Sequence, residues 1–230
     1  MKYTFLLAIT LFMFSCGNKK VIQLPEIDHA EITKISDVSA AYLFYDETQP
    51  DSVSLNRKNL ISTTNWLINV DKRLRLKQVI PHIQFLQEKK QNAGHKNPNA
   101  KNYFSSHDTS NNNLGFLEFT DVIYHEERIR AFDKNNKQES EPNQKVFINV
   151  ISNDSIPIHY ATGSCSTSNG SNKDDLLNGI KSDLLHYGNV IIYVGYHKNI
   201  SFQDYIGIKS KLNSFELGNA KISNHEFITD

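Results

Sequence analysis

Ile192-Tyr193-Val194-Gly195-Tyr196-His197-Lys198-Asn199-Ile200-Ser201-Phe202 passes from an apolar run, through a basic turn, to a serine that opens a helix. Val190 to Val194 is continuously apolar, as in a strand covered on both faces. Ser201, with Asp204 three positions on, is the capping signature of a helix running to about Phe215. An offset of 126, which carries Trp66 onto Ile192, returns the same order without a gap. Ile68 meets Val194, Lys72 meets Lys198, Leu74 meets Ile200, Leu76 meets Phe202, Ile80 meets Ile206 and Leu86 meets Leu212. Strand, basic turn, helix start and apolar face therefore recur, the mark of an internal duplication, although strand-then-helix units are common enough for chance to compete.

Working outward, a first strand fits Ala40 to Asp46, and the turn formers Thr48-Gln49-Pro50-Asp51 lead to a hairpin partner at Ser52 to Leu55. A third strand is expected at Trp66 to Val70, and Leu76 to Gln91 has Val79, Ile80, Ile83 and Leu86 at helical spacing. Pro81 lacks a donor and crowds the preceding turn, so this helix is expected to begin near Ile80 or to kink. Residues 92–113, rich in Asn, Ser, Lys and His, read as a polar excursion before strand character returns at Gly115 to Tyr124. Strands follow at Lys145 to Ser152 and Ile156 to Tyr160, then a Ser- and Gly-rich insertion at 161–172. A helix over Lys173 to Tyr187, capped by Asn172 and closed by Gly188, and a last strand at Ala220 to Ile228 complete the chain. The polar stretch 133–144 is read as a linker. The expected architecture is α+β: two small modules, 37–132 and 145–230, each a short mixed β-sheet with helices packed on one face.

Before the first module, a basic start, an apolar core from Phe5 to Phe14, and Ser15 precede Cys16. Residues 1–15 resemble a bacterial lipoprotein signal peptide, in which cleavage exposes the cysteine for acylation. The apolar stretch is well short of the roughly 20 residues a spanning helix needs, and a plain secretory leader is the competing reading. Cys16 is thus the expected lipidation site, and 16–36 a lipidated tether. Gly17-Asn18-Lys19-Lys20 has neither the Asp nor the acidic cluster that redirects some lipoproteins. The resemblance implies a lipid-anchored protein of the cell envelope, facing the periplasm from the outer membrane.

Acidic and basic side chains balance at 25 each, so no net field draws the chain to nucleic acid. With Cys16 acylated, Cys165 is the one cysteine left, which rules out an internal disulfide. The nine histidines include no His-x-His or His-x-x-x-His pair, and His125-Glu126-Glu127 lacks the second histidine of a zincin helix. His159 and Cys165 are a weak nucleophile pair, because Gly163-Ser164-Cys165-Ser166-Thr167 offers no orienting group. Asp174 and Asp175 suit a helix amino terminus, Asp71 a turn, and Trp66 and Tyr193 a core. No catalytic, cofactor-binding or metal residue is expected, and the chain reads as non-enzymatic.

At the repeated turns the chain resembles the periplasmic domain of the ExbD/TolR biopolymer transport family, which has a strand, an Ala-Asp-Lys turn, a short apolar link, a Tyr opening a helix, and a final strand. Asp71 and Lys72 keep the turn, with Leu76 at the Tyr position; in the second copy His197 replaces the Asp, Lys198 is kept and Phe202 retains the ring. The transmembrane helix of the proton-coupled members is missing, and a lipoprotein leader stands in its place. The resemblance implies protein contacts supporting transport or envelope integrity, partners among envelope proteins including an energy-transducing complex, and a homodimer. The competing reading is a lipoprotein that binds glycan or peptide through the loops at 92–113 and 161–172; a hydrolase is a distant third.

Overall fold

Val38–Tyr45 and Asn65–Val70 bury every second side chain, the period-two pattern of strands covered on one face. A computed structural model describes residues 20–136, 144–162, 165–176, 178, 180, 189–214 and 220–230. In it these segments are β2 and β4, paired in parallel with Val38 opposite Asn65. β3 (Val53–Asn56) folds back on β2 as the antiparallel hairpin partner. β5 (Asn102–Asp108) lies parallel to β4 and carries β6 (Asn113–Glu118) antiparallel along it. Where β4 ends, the two-residue β1 (Glu26–Ile27) continues alongside β5 at His107 and Asp108.

β5 lies inside the segment read as a polar excursion. Its sequence, Asn-Tyr-Phe-Ser-Ser-His-Asp, is polar enough to pass for a loop, yet Asn102, Tyr103, Phe104, Ser105, Ser106 and Asp108 are buried. Three of the polar side chains find partners: Asn102 Oδ1 accepts from Lys90 Nζ at 2.8 Å, Ser106 Oγ donates to Gly115 O at 2.9 Å, and Asp108 accepts from the backbone N–H of His29, Ala30 and Ser110, whereas Ser105 Oγ is buried with no partner among the described residues. Gly115 is needed beside it, since a Cβ there would stand 2.5 Å from Ala30 Cβ.

Between β4 and β5 runs α1 (Leu76–Gln91), which buries Leu76, Val79, Ile80, Ile83 and Leu86 against the sheet. Each such side chain contributes about 1.5–3 kcal/mol relative to exposure. Of the two expectations for Pro81, a start near Ile80 is not found: α1 extends from Leu76 through Pro81. Its first turn is held from outside: Leu76 N donates to Ile200 O at 3.2 Å and Lys77 N to Lys198 O at 2.9 Å.

The second sheet repeats the first. β8 (Gln144–Val150), β11 (Val190–His197) and β12 (Ala220–Thr229) run parallel, with β9 (Ile156–Thr162) and then β10 (Cys165–Ser171) antiparallel on the β8 side. The order β9-β8-β11-β12 matches β3-β2-β4-β5 element for element. A helix joins β11 to β12, as α1 joins β4 to β5. This helix, numbered α3 (Phe202–Asn213), is capped as its sequence predicts: Ser201 Oγ accepts from Asp204 N at 3.1 Å. The insertion at 161–172 is largely β10, and the expected helix at 173–187 lies mostly outside the described residues, with Leu176 and Ile180 buried.

Two features depart from separate modules with helices on one face. β7 (Ile123–His125) pairs with β12, so the change of sheet falls before the 133–144 stretch read as a linker. α2 (Ile129–Asn135) then packs on the second sheet's other face, where Ile129 joins Phe147, Tyr193 and Phe227 in a small separate core. The main core is continuous across both sheets: Phe104 of the first stacks on Phe119 at 3.9 Å and meets Phe202 of α3 edge-on at 5.3 Å.

Candidate functional site

The two strand-to-helix turns singled out in the sequence meet at the centre of the molecule. Arg75 and Ser201, the residues preceding α1 and α3, form an antiparallel bridge. Leu76 N donates to Ile200 O and, reciprocally, Phe202 N donates to Leu74 O at 2.7 Å. Lys77 N donates to Lys198 O, and Gln203 N to Lys72 O at 3.3 Å. Adding or subtracting 126 turns each bond of a pair into the other, the reciprocity of a two-fold, isologous interface. Each helix start is thereby satisfied by carbonyls of the opposite turn. Leu74, Leu76, Ile200 and Phe202 fill the space beneath, all buried.

Inside the turns the residues singled out in the sequence act locally. Asp71 is fully buried; its carboxylate takes Arg73 N at 3.1 Å, the Arg73 guanidinium at 2.8 Å through both Nε and Nη2, and Gln23 N at 3.3 Å. Burial pushes its pKa up, but the hydrogen bonds from Arg73 and Gln23 outweigh that and hold it below the ordinary carboxylate value. His197 takes the same place in the second turn, its Nδ1 accepting from Asn199 N at 3.2 Å. Lys72 pairs with Glu26 at 2.7 Å and Lys198 with Asp230 at 2.6 Å. Leu76 and Phe202 are the first residues of their helices.

No protein-family model, curated protein or solved structure matches the chain.

Beyond His197, at the carboxyl ends of the second sheet's strands, lies a cleft of about 260 Å³. β8 supplies Asn149, β9 His159, β11 Gly195 and His197, and the approach to α2 supplies Arg128 and Arg130. The half-exposed Ile151 adds an apolar patch to its lining. Gly195 keeps its floor deep, because a Cβ would stand 3.0 Å from Ile129 Cδ1 and 3.1 Å from Asn149 Oδ1. Partial burial, with Arg130 nearby, holds the His159 imidazole below its usual pKa, so it is neutral at pH 7.

On the same face of the sheet, His125 and His225 share a hydrogen bond of 2.7 Å across the β7–β12 pairing, packed against Phe132 and Phe227. Desolvation lowers both pKa values, and for His125 the charge of His225 adds to it. On the opposite face a buried network joins Lys209 and Tyr205 to Glu226, with Tyr124 Oη 3.3 Å from Tyr205 Oη.

Other expectations fare differently. Trp66 and Tyr193 are core residues. Asp175 N and Asp174 N both donate to Asn172 Oδ1 at 2.9 Å, and Asp174 also pairs with Lys211 at 2.8 Å. His159 lies on β9, while the Cys165 side chain, like Cys16 and the leader 1–15, is outside the described residues. The segments 92–113 and 161–172 contribute to none of the described clefts. Among the described residues no group of three or more His, Cys, Asp or Glu is arranged to hold a metal ion, and no helix is long and apolar enough to cross a membrane. Sequence reading missed the cleft because its residues come from five separate segments; Arg128 and Arg130, two residues apart before a polar stretch, were the one local signal.

Proposed function

We propose that this chain is a non-enzymatic envelope lipoprotein, anchored through Cys16, which acts by protein–protein contact as its resemblance to the periplasmic part of ExbD/TolR implies. The reading also takes the two modules as an internal duplication. The observation that carries it is the reciprocal junction at Arg75 and Ser201, whose four backbone hydrogen bonds interchange under the 126-residue offset. Strand-then-helix units alike by chance would have no reason to pair through equivalent turns. Two modules held in this way form a rigid pair and present free sheet edges, such as β3, to other proteins. A contact role also accounts for the turn chemistry without a reaction: Asp71 and His197 each receive a backbone N–H group from two residues on and shape the turns that lead into the junction.

The test is crosslinking in intact cells with a Cys16→Ser control. Recovery of an energy-transducing envelope complex by the anchored protein, and its loss in the control, is the expected result. A folded, membrane-attached protein that captures only glycan or nothing would overturn the reading.

A further inference from the structure

The carboxyl ends of parallel strands leave backbone groups and a crevice to be covered. In the first sheet the chain covers them itself. Lys20 reaches Asp46 and Ser54, at the β2–β3 end, at 2.7 and 2.8 Å. Gln23 O then accepts from Lys72 N at 2.7 Å, Pro25 O from His107 N at 2.8 Å and Ile27 O from Thr109 N at 2.9 Å. Residues 20–27 thus cross from β3 to β5 as an extended segment held chiefly by its backbone.

The second sheet reproduces only half of this cover. Thr229 O accepts from Lys198 N at 2.7 Å, as Gln23 O does from Lys72 N, and Asp230 pairs with Lys198 as Glu26 does with Lys72. Where Lys20 meets Asp46 in the first sheet, the matching Asn153 of the second accepts from Lys173 N and donates to Asp204, both at 2.7 Å, and the 260 Å³ cleft lies beside this point on the ends of β8 and β11. The charges there are reversed. Lys20 meets an acid, Asp46, in the first sheet. The cleft instead presents Arg128 and Arg130, beside the neutral His159, against the single lining acid Asp230, which pairs with Lys198 and also feels the charge of Arg128. Neither arginine is held in an ion pair among the described residues.

We infer that this cleft, lined by two exposed arginines at the carboxyl ends of β8 and β11, binds a short extended segment of an acidic polypeptide from a partner protein. The arginines take the partner's carboxylates, Asn149 offers a side-chain amide, and Ile151 accepts an adjacent apolar side chain. This rests on the protein-contact reading above and names the kind of partner segment it needs.

The test is selection of random decapeptides displayed against the purified, immobilised protein, with the same selection on an Arg128→Glu/Arg130→Glu variant. Both arginines are exposed, so the variant is expected to fold, and circular dichroism with thermal unfolding checks this. Enriched peptides should be rich in Asp and Glu, bind more weakly as salt rises, and lose about tenfold or more in affinity to the variant. Lack of enrichment, enrichment of neutral or basic peptides, or acidic peptides that bind the folded variant equally well would each overturn the inference. Because binding is read on purified protein, such a failure would leave the crosslinking result in cells standing, and a crosslinking failure would leave peptide binding standing.

Discussion

The two sheets share an order of strands, a helix after the second parallel strand and a turn that ties each helix start to the other, yet their carboxyl ends are finished differently. In the first, the buried Asp71 holds Gln23 and the chain closes over the strands. In the second, His197 makes the same turn but holds no covering segment among the described residues, and a cleft with two arginines lies beside it. The two sheets share the framework that each needs to fold, and they differ in the cover, which serves only to seal or to bind.

The junction is where that comparison breaks most dramatically. Phe202→Ala and its counterpart Leu76→Ala remove buried side chains at symmetric helix starts, and each is expected to cost about 2–5 kcal/mol. Because the core is continuous through this point, urea denaturation should show one transition shifting for both sheets. A variant in which one sheet melts while the other retains its signal would mean the modules are separable.

Next in size, Asp71→Ala strips partners from Gln23 and Arg73 and is expected to cost about 1.5–3 kcal/mol, together with faster amide exchange over residues 20–27. His197→Ala, which frees only the Asn199 N–H, should cost less. Equal losses would erase the distinction between a covered and an open end.

Acid sharpens the comparison on the second sheet alone. His125 and His225 have folded-state pKa values below 6.5, so the unfolded chain binds protons that the folded one refuses. Stability contributed by the neutral pair is complete above pH 6.5 and is lost as pH falls toward the folded values. Tm measured from pH 7 to pH 5 should drop, and His225→Phe should flatten the drop.

The smallest effect belongs to the first sheet. Lys90 lies over Trp66, its ammonium 4.9 Å from the ring centroid, and burial lowers its pKa to about 8. The unfolded chain then holds the proton longer, so stability should rise gently from pH 8 toward the ordinary lysine value of 10.5. Lys90→Met should remove that rise in a thermal-unfolding series.

Amphipathic pattern and capping residues made most elements legible in advance. α1, α3, β2, β4, β8 and β11 follow from apolar spacing and from Ser201, because period and caps are local properties. β5 escaped since its burial depends on partners supplied from elsewhere: Asn102, Ser106 and Asp108 become interior residues only when Lys90, β6 and residues 29–30 arrive to bond them. Pro81 misled for a related reason, as the donors of α1's first turn are met by carbonyls over 120 residues away.

By itself the sequence determined a strand-turn-helix pattern that recurs 126 residues on, its apolar faces, and a cysteine placed after an apolar stretch. Tertiary structure decided that the two turns face each other, that β7 and α2 join the second sheet, and that residues 20–27 cross one carboxyl end while a cleft lies at the other. The division is physical: periodicity and capping act over a few residues, whereas burial of polar groups and the meeting of distant charges exist only once the chain has closed on itself.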